Sequence, residues 1–213
     1  MPVAVKICGL STPQSVDVAV EGGAQFVGFV FFPPSPRAID PAKARALAGR
    51  VPASVRKVAV VVDPTDDSLE TIVGALDADM IQLHGKETPE RVADIRANVG
   101  CDVIKAIAVF DAGDVASADR YDEVADMLLF DAKPRPGDTL PGGNAHAFDW
   151  SLMSNVGTSR PWFLSGGLTE ACLAEAIAVS GARFVDVSSG VESARGVKDH
   201  QKIEQFLATA ADL

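Results

Sequence analysis

Short apolar runs alternate with longer amphipathic stretches from one end of the chain to the other. Eight runs have the length and β-branched content of strands: Val3–Cys8, Phe26–Phe31, Lys57–Val62, Met80–His84, Val103–Val109, Met127–Asp131, Trp162–Ser165 and Phe184–Ser188. The stretches between them predict helices at Pro13–Glu21, Pro41–Ala48, Ser68–Leu76, Pro89–Asn98 and Leu173–Ser180, with a last helix at about Lys198–Ala210. This alternation implies βαβ crossovers and a parallel sheet.

Helix starts carry the capping residues expected of them. Ser11 or Thr12, Asp40 and Thr88 each come just before a proline and are predicted N-caps. Two connections are irregular: residues 111–126 are expected to hold at most a short helix, and residues 133–144 form a Pro- and Gly-rich loop.

The predicted strands have two different faces. Period-two alternation places polar side chains on one face of several strands, namely Lys6, Cys8, Gln82, His84, Lys105, Asp186 and Ser188. A doubly wound sheet is covered by helices on both faces, so its central strands are continuously apolar. The inner face of a (β/α)8 barrel can instead turn polar near the carboxyl ends of its strands, where such enzymes keep their chemistry. The pattern therefore favours an α/β fold of the TIM-barrel type.

Length and composition agree with this architecture. The chain has 213 residues, close to the lower bound of about 200 for such a barrel, so we expect one domain covering residues 1–213. The 47% hydrophobic and 23% charged content is ordinary for a globular protein and excludes disordered and fibrous classes.

The net charge and the cysteine content limit which binding partners and cross-links we expect. A net charge of −10 argues against nucleic-acid binding but not against a small anionic substrate held by local groups. There is no leader-like or membrane-spanning apolar run, so we expect a cytoplasmic protein with no membrane partner. Three scattered cysteines without a CxxC motif argue against disulfides and a zinc site, and the three histidines form no metal-binding pattern.

Two glycine- and serine-rich turns predict a phosphate site. Gly166 and Gly167 follow the seventh predicted strand, and Ser188, Ser189 and Gly190 follow the eighth. Loops at these two strands form the common phosphate site of barrel enzymes, because their backbone amides and hydroxyls can donate to an anion. No dinucleotide or Walker motif is present.

Cys8 and Asp131 are the candidate base and acid. Each ends a predicted strand on the inward face, and no helix follows Asp131 directly, which weakens a helix-capping role. A buried cysteine is more often a small apolar residue, as we expect for Cys101 and Cys172. At the mouth, nearby positive charge could lower the pKa of the Cys8 thiol and make it a base.

Arg37 is the candidate for binding a carboxylate. It follows a stiff segment with three prolines, which would hold it at a defined place over the mouth, and a guanidinium can bind a carboxylate bidentately. Gln82 and His84 face inward on the fourth strand, where a single histidine is more often structural than catalytic.

Seven motifs together resemble the phosphoribosylanthranilate isomerase family of tryptophan biosynthesis. In family order they are Lys6-Ile7-Cys8-Gly9, Gly28-Phe29-Val30-Phe31 with Pro33-Pro34-Ser35-Pro36-Arg37, Gln82-Leu83-His84-Gly85, Leu129-Phe130-Asp131, Phe148-Asp149-Trp150, Ser165-Gly166-Gly167-Leu168 and Asp186-Val187-Ser188-Ser189-Gly190-Val191-Glu192. The resemblance covers nearly the whole chain, and the first and last motifs together are specific.

The resemblance implies a cofactor-free and metal-free Amadori rearrangement, the third step of tryptophan biosynthesis from chorismate. N-(5-phosphoribosyl)anthranilate would become 1-(o-carboxyphenylamino)-1-deoxyribulose 5-phosphate. Asp131 would be the general acid, Cys8 the general base, and Arg37 the residue that holds the anthranilate carboxylate. Gln82, His84 and Asp186 would be further substrate contacts, beside the phosphate-binding residues Gly166, Gly167, Ser188, Ser189 and Gly190.

Two departures and two alternatives stay open. The family usually has a glycine where this chain has Ala145, so the loop before Phe148 could be reshaped. It commonly has an aromatic residue where this chain has Ala38, so packing around Arg37 could be looser. Another phosphate-binding barrel enzyme, such as indole-3-glycerol-phosphate synthase or a sugar-phosphate epimerase, is the alternative, although Lys6 and Lys105 lack an obvious glutamate partner for the synthase. A non-catalytic phosphosugar-binding barrel is a third hypothesis. The sequence leaves monomer or homodimer undecided.

Overall fold

A computed structural model describes residues 3–135, 137–138, 140–144 and 146–213. Its eight parallel strands close into a barrel in sequence order: β1 (Ala4–Cys8), β2 (Phe26–Val30), β3 (Arg56–Val61), β4 (Met80–Leu83), β5 (Asp102–Val109), β6 (Met127–Ala132), β7 (Trp162–Leu164) and β8 (Phe184–Val187). β1 pairs with both β2 and β8, which closes the ring. The predicted barrel is confirmed, and every predicted strand boundary lies within one residue of the observed one.

Helices pack around the outside of the barrel. They are α1 (Pro13–Glu21), α2 (Pro41–Ala48), α3 (Asp66–Leu76), α4 (Pro89–Val99), α5 (Ala112–Ala116), α6 (Glu170–Ser180) and α7 (His200–Ala211). Single 3-10 turns cover Ser117–Tyr121, Trp150–Asn155 and Ser189–Val191. The connection at residues 111–126 thus holds only a short helix and a 3-10 turn, as predicted.

Capping chemistry fixes where the helices begin. Thr12, Asp40 and Thr88 are N-caps whose side chains accept a backbone N–H of the first turn, as predicted. Three predicted helix starts, at Ser68, Leu173 and about Lys198, are wrong. The observed starts are Asp66 for α3, Glu170 for α6 and His200 for α7. Asp199 caps the last helix by accepting from the backbone N–H of Lys202, so the helix begins at His200.

Lys198 belongs instead to a small hairpin that the sequence pattern did not predict. β9 (Glu192–Ala194) and β10 (Val197–Lys198) pair antiparallel directly after β8, with Gly196 in the turn at a φ of 83°. Such short strands carry little periodic signal. The hairpin carries two charged side chains, Glu192 and Lys198, to the mouth of the barrel.

The barrel interior is apolar at the amino ends of the strands and polar at their carboxyl ends. The ring of Phe163 lies 5.1 Å from that of Phe26 and 5.4 Å from that of Phe184, in edge-to-face contacts that fill the lower interior. Above this layer, buried polar side chains replace apolar ones: Lys6, Gln82, Lys105, Asp131 and Asp186. The fold therefore confines polar chemistry to the carboxyl end of the barrel.

Candidate active site

A pocket opens at the carboxyl ends of the strands, where ligand sites of such barrels lie. The predicted site residues that line it are Cys8, Arg37, Gln82, His84, Asp131, Asp186 and Ser188. A neighbouring hollow, lined by Gly166, Gly167 and Ser189 among others, shares Asp131, Ser165, Asp186 and Ser188 with it. The barrel thus brings together residues that lie up to 181 positions apart in the sequence.

Cys8 ends β1 and is 6% exposed. Burial, the largest influence, raises the pKa of its thiol above the ordinary value. The positive charges of Lys6 and Lys198 act to lower the pKa, but they do not outweigh burial and the nearby carboxylate of Asp186. In the ligand-free protein the thiol is therefore the favoured form at neutral pH, and the charge-lowered pKa expected from the sequence is not found.

A buried ion pair lies directly beneath Cys8. Lys6 Nζ donates to Asp186 Oδ1 at 2.9 Å, with both side chains 5% exposed or less. Burial alone would lower the pKa of Lys6, but Asp186 and Cys8 together raise it above the ordinary value. Ser165 Oγ donates to the other oxygen of Asp186 at 3.3 Å. Both Asp186 oxygens are thus engaged within the protein, although the residue lines the pocket.

Asp131, at the end of β6, faces His84 across the pocket. Its Oδ2 lies 3.3 Å from His84 Nε2, and its Oδ1 accepts the backbone N–H of Ala132 at 3.0 Å. The Gln82 amide nitrogen lies 2.8 Å from His84 Nδ1. When that amide donates, a neutral His84 carries its hydrogen on Nε2 and directs it at Asp131. Gln82, His84 and Asp131 therefore form one polar chain.

Gln82 leaves one buried acceptor without a partner. Its side-chain oxygen has no hydrogen bond among the described residues, and the residue is 1% exposed while lining the pocket. An unpaired buried polar atom costs about 1–3 kcal/mol. The atom is thus available to a donor on a bound ligand.

Arg37 is buried at the mouth rather than solvated. Its side chain is 4% exposed, and Nε and Nη2 donate to the two carboxylate oxygens of Glu192 at 2.7 and 2.9 Å. Nη2 also reaches the carbonyl oxygen of Gly143 at 3.3 Å. Gly9, at a φ of 76°, lets the arginine stem pass, because a Cβ there would lie 2.7 Å from Arg37 Cδ. Nη1 carries no hydrogen bond to the described residues, so this nitrogen remains free for a ligand.

The two glycine- and serine-rich turns meet beside the pocket. Gly166 and Gly167 have φ angles of 85° and 67°, and a Cβ on Gly166 would lie 2.7 Å from the backbone nitrogen of Ala132. Ser188 Oγ donates to the carbonyl oxygen of Cys8 at 3.1 Å, which ties the eighth turn to the first. Gly190 lines neither hollow; a Cβ there would overlap the carbonyl oxygen of Leu168, so glycine is required for packing. Ala145 lies outside the described residues.

Sequence reasoning missed two functional candidates, Glu192 and Lys198. Glu192 stands in the last motif, but nothing in the motif reveals that it holds Arg37. Lys198 stands at the predicted start of the last helix, where the sequence pattern gives it no role at the site. One signal could have found both: Glu192 and Lys198 have opposite charges and lie on either side of Gly196, at the spacing of paired positions in a short hairpin.

The two inward lysines do have acidic partners. Lys6 pairs with Asp186, and Lys105 Nζ donates to Glu87 Oε2 at 2.7 Å. Glu87 also accepts the backbone N–H of Gly85 and of Asp63, so it fixes the loop after β4. Neither Lys105 nor Glu87 lines the pocket, which gives no support to a lysine–glutamate catalytic pair there.

The described part of the chain contains no cluster of three or more His, Cys, Asp or Glu side chains arranged to hold a metal ion. No helix in the same residues is long and apolar enough to cross a membrane.

Comparisons with known proteins agree with one another. The sequence profile of the family described as N-(5'phosphoribosyl)anthranilate (PRA) isomerase matches residues 5–209. An N-(5'-phosphoribosyl)anthranilate isomerase from Paramagnetospirillum magneticum is 53% identical over 210 residues, which cover 99% of this chain and 98% of the relative.

Solved structures extend the agreement to three dimensions. The crystal structure of phosphoribosyl anthranilate isomerase from Thermotoga maritima superposes with a TM-score of 0.88 at 36% identity, covering 99% of this chain and 100% of that one. A phosphoribosyl anthranilate isomerase in complex with reduced 1-(o-carboxyphenylamino)-1-deoxyribulose 5-phosphate has a TM-score of 0.84 at 35% identity, with the same coverage.

Proposed function

The chain belongs to the N-(5'-phosphoribosyl)anthranilate isomerase family, and from this premise we propose how its residues divide the reaction. The enzyme isomerises N-(5-phosphoribosyl)anthranilate to 1-(o-carboxyphenylamino)-1-deoxyribulose 5-phosphate in tryptophan biosynthesis. Indole-3-glycerol-phosphate synthase and epimerase chemistry are not favoured. The observation that carries the residue assignment is the placement of Cys8 and Asp131 in one pocket that also holds Arg37.

Asp131 opens the sugar ring. It delivers a proton to the ring oxygen while the bond from that oxygen to C1 breaks, and the nitrogen lone pair forms a C1=N iminium. His84 holds the acid in place through the 3.3 Å contact between Nε2 and Oδ2, and Gln82 fixes the His84 ring. The unpartnered Gln82 oxygen accepts the N–H of the substrate nitrogen.

Cys8 takes the proton from C2. Electrons of the C2–H bond form a C1=C2 double bond, and the iminium nitrogen regains its lone pair, giving an enolamine. The enol then loses its hydroxyl proton while C1 gains one, which yields the ketone. Because burial raises the thiol pKa in the free protein, the thiol gives up its proton to water only once substrate is bound. The positive charge of the iminium, added to those of Lys6 and Lys198, lowers the thiol pKa at that stage.

Anion binding orients the substrate. Arg37 binds the anthranilate carboxylate through Nη1, since Glu192 and the Gly143 carbonyl oxygen occupy Nε and Nη2. The phosphate binds in the hollow lined by Gly166, Gly167, Ser188 and Ser189. Gly190 supports that hollow through its packing against the backbone rather than by contact.

Two variants test the acid and base assignment. Cys8→Ala and Asp131→Asn should each lower kcat by at least about 100-fold, the usual contribution of a positioned acid or base. Cys101→Ala and the exposed Asp67→Asn serve as matched controls, and both should retain normal kcat. If either test variant keeps near-normal kcat, the role proposed for that residue is wrong.

The physiological context follows from the same proposal. We expect a cytoplasmic, single-domain enzyme with a small anionic phosphosugar substrate and with neither cofactor nor nucleic-acid partner, present as a monomer or a homodimer. Complementation of a tryptophan auxotroph that lacks the isomerase tests the activity in cells. Light scattering of the purified protein decides between the two oligomeric states.

A further inference from the structure

Glu192 is the centre of a buried charge cluster at the mouth of the barrel. Its Oε1 accepts from Arg37 Nε at 2.7 Å and from Lys198 Nζ at 3.0 Å. Its Oε2 accepts from Arg37 Nη2 at 2.9 Å and from the backbone N–H of Gly196 at 3.0 Å. Burial would raise the pKa of this carboxyl, but its partners hold it at about 2. Glu192 is therefore a carboxylate with every acceptor position occupied.

Lys198 is enclosed beside Glu192. Its side chain is 3% exposed and also donates to the carbonyl oxygen of Ser188 at 2.7 Å and to Ser188 Oγ at 3.3 Å. Neither of the two pockets that hold the predicted site residues is lined by Lys198. It therefore acts on a ligand only through its neighbours.

The charges of the cluster do not cancel. Arg37 and Lys198 contribute two positive charges and Glu192 one negative charge, which leaves a net charge of +1 on these three side chains. Without Lys198 the cluster would be a neutral arginine–glutamate pair, and an incoming carboxylate would compete with Glu192 for a guanidinium whose charge is already neutralised. With Lys198 present, binding of one further carboxylate makes the cluster neutral, with two positive and two negative charges.

We propose that Lys198 is a positioning residue for the isomerisation: it balances Glu192, so that Glu192 can hold Arg37 rigidly while Arg37 still binds the substrate carboxylate. The inference rests on the proposed role of Arg37. It assigns to the β9–β10 hairpin a part in substrate specificity, because the hairpin supplies both Glu192 and Lys198.

A pair of ligands separates this role from a purely structural one. The first is the reduced product, 1-(o-carboxyphenylamino)-1-deoxyribitol 5-phosphate, and the second is the same compound with a phenyl ring that lacks the carboxylate. The ratio of their dissociation constants, measured by calorimetry, reports only what the carboxylate contributes. For wild-type protein we expect a preference of about 10- to 100-fold for the carboxylate, typical of a charged hydrogen bond.

Removing the charge of Lys198 should reduce that preference by about tenfold, while the ligand without the carboxylate loses little affinity. Lys198→Met and Lys198→Gln both remove the charge, and the glutamine keeps a donor for Ser188 should the methionine variant fold poorly. Lys198→Arg should keep the preference within about threefold, because it keeps the charge. The exposed Lys43→Met is the matched control.

The double variant Glu192→Gln/Lys198→Met supplies the decisive comparison. It leaves Arg37 as the only charge of the cluster, so the net charge returns to +1 and the carboxylate preference should rise again above that of the single Lys198 variants. Equal weakening of both ligands in those single variants would overturn the inference and leave the role of Arg37 intact. A wild-type protein without carboxylate preference would overturn the role of Arg37 and the inference with it.

Discussion

The ion pair between Lys6 and Asp186 offers a sharp test of how the barrel interior supports the thiol. The Lys6 side chain is fully buried, and its ammonium lies 2.9 Å from Asp186. Replacing Lys6 with Met keeps most of the side-chain volume but leaves Asp186 as an uncompensated buried charge. Two consequences follow, one for the stability of the fold and one for the reactivity of Cys8.

The stability effect has a defined size. Breaking a buried pair by removing one partner costs about 3–5 kcal/mol. A protein of this length shifts its Tm by about 2–4 °C per kcal/mol, so Lys6→Met should lower Tm by roughly 6–20 °C. The double variant Lys6→Met/Asp186→Asn removes both charges and keeps an acceptor for Ser165, so it should recover most of the loss.

The reactivity effect goes in a fixed direction. Lys6 lowers the pKa of the Cys8 thiol, so its removal should raise that pKa further and slow alkylation by iodoacetamide at a fixed mildly alkaline pH. The measurement uses a Cys101→Ser/Cys172→Ser background, which leaves one thiol. A Tm within 2 °C of the parent would refute the energetic argument. Faster alkylation of the Lys6→Met protein would refute the electrostatic one.

Three other predictions address the cluster at the mouth, the lower interior and the eighth turn. The pKa of Glu192 falls from 4.5 to about 2 on folding. The ionised Glu192 therefore stabilises the fold by up to about 3 kcal/mol above pH 4.5, and this stabilisation is lost as pH falls towards 2. The denaturant midpoints of wild type and Glu192→Gln should converge on acidification, and a constant gap between them would contradict this. Phe163→Ala should lower the free energy of unfolding by about 3–5 kcal/mol in urea titrations, because Phe163 is fully buried against Phe26; a loss below 1 kcal/mol would be inconsistent with that packing. Gly190→Ala should weaken binding of the reduced product and lower Tm, since the added Cβ overlaps the Leu168 carbonyl oxygen, and unchanged values of both would show that the turn can yield.

Local sequence signals were sufficient for the strands and for three of the six predicted helix starts. Strand boundaries depend on runs of apolar residues that end at polar or glycine positions, and these signals are read within a few residues. The same holds for Thr12, Asp40 and Thr88, whose capping hydrogen bonds span three residues. The error at Lys198 arises because these signals are local: a two-residue strand is too short to leave a periodic pattern in the sequence.

The candidate site was predictable as a set of residues but not as an arrangement. Inward alternation and strand-end position were enough to single out Cys8 and Asp131, since period-two geometry and barrel closure place such residues at one mouth. The side-chain partners of the site residues were not predictable. The contact between Arg37 and Glu192 spans 155 positions, and no local pattern encodes a contact at that distance.

The sequence by itself therefore determined the order of elements, the barrel, the side chains at its mouth and the family. Only the tertiary structure decided the electrostatic state of those side chains. Burial raises the pKa of the Cys8 thiol despite two neighbouring lysines, and Glu192 occupies the fork of Arg37 that a substrate would otherwise take. The physical reason is that desolvation and charge pairing depend on which groups lie within a few ångströms in space, and in a closed barrel those groups come from opposite ends of the chain.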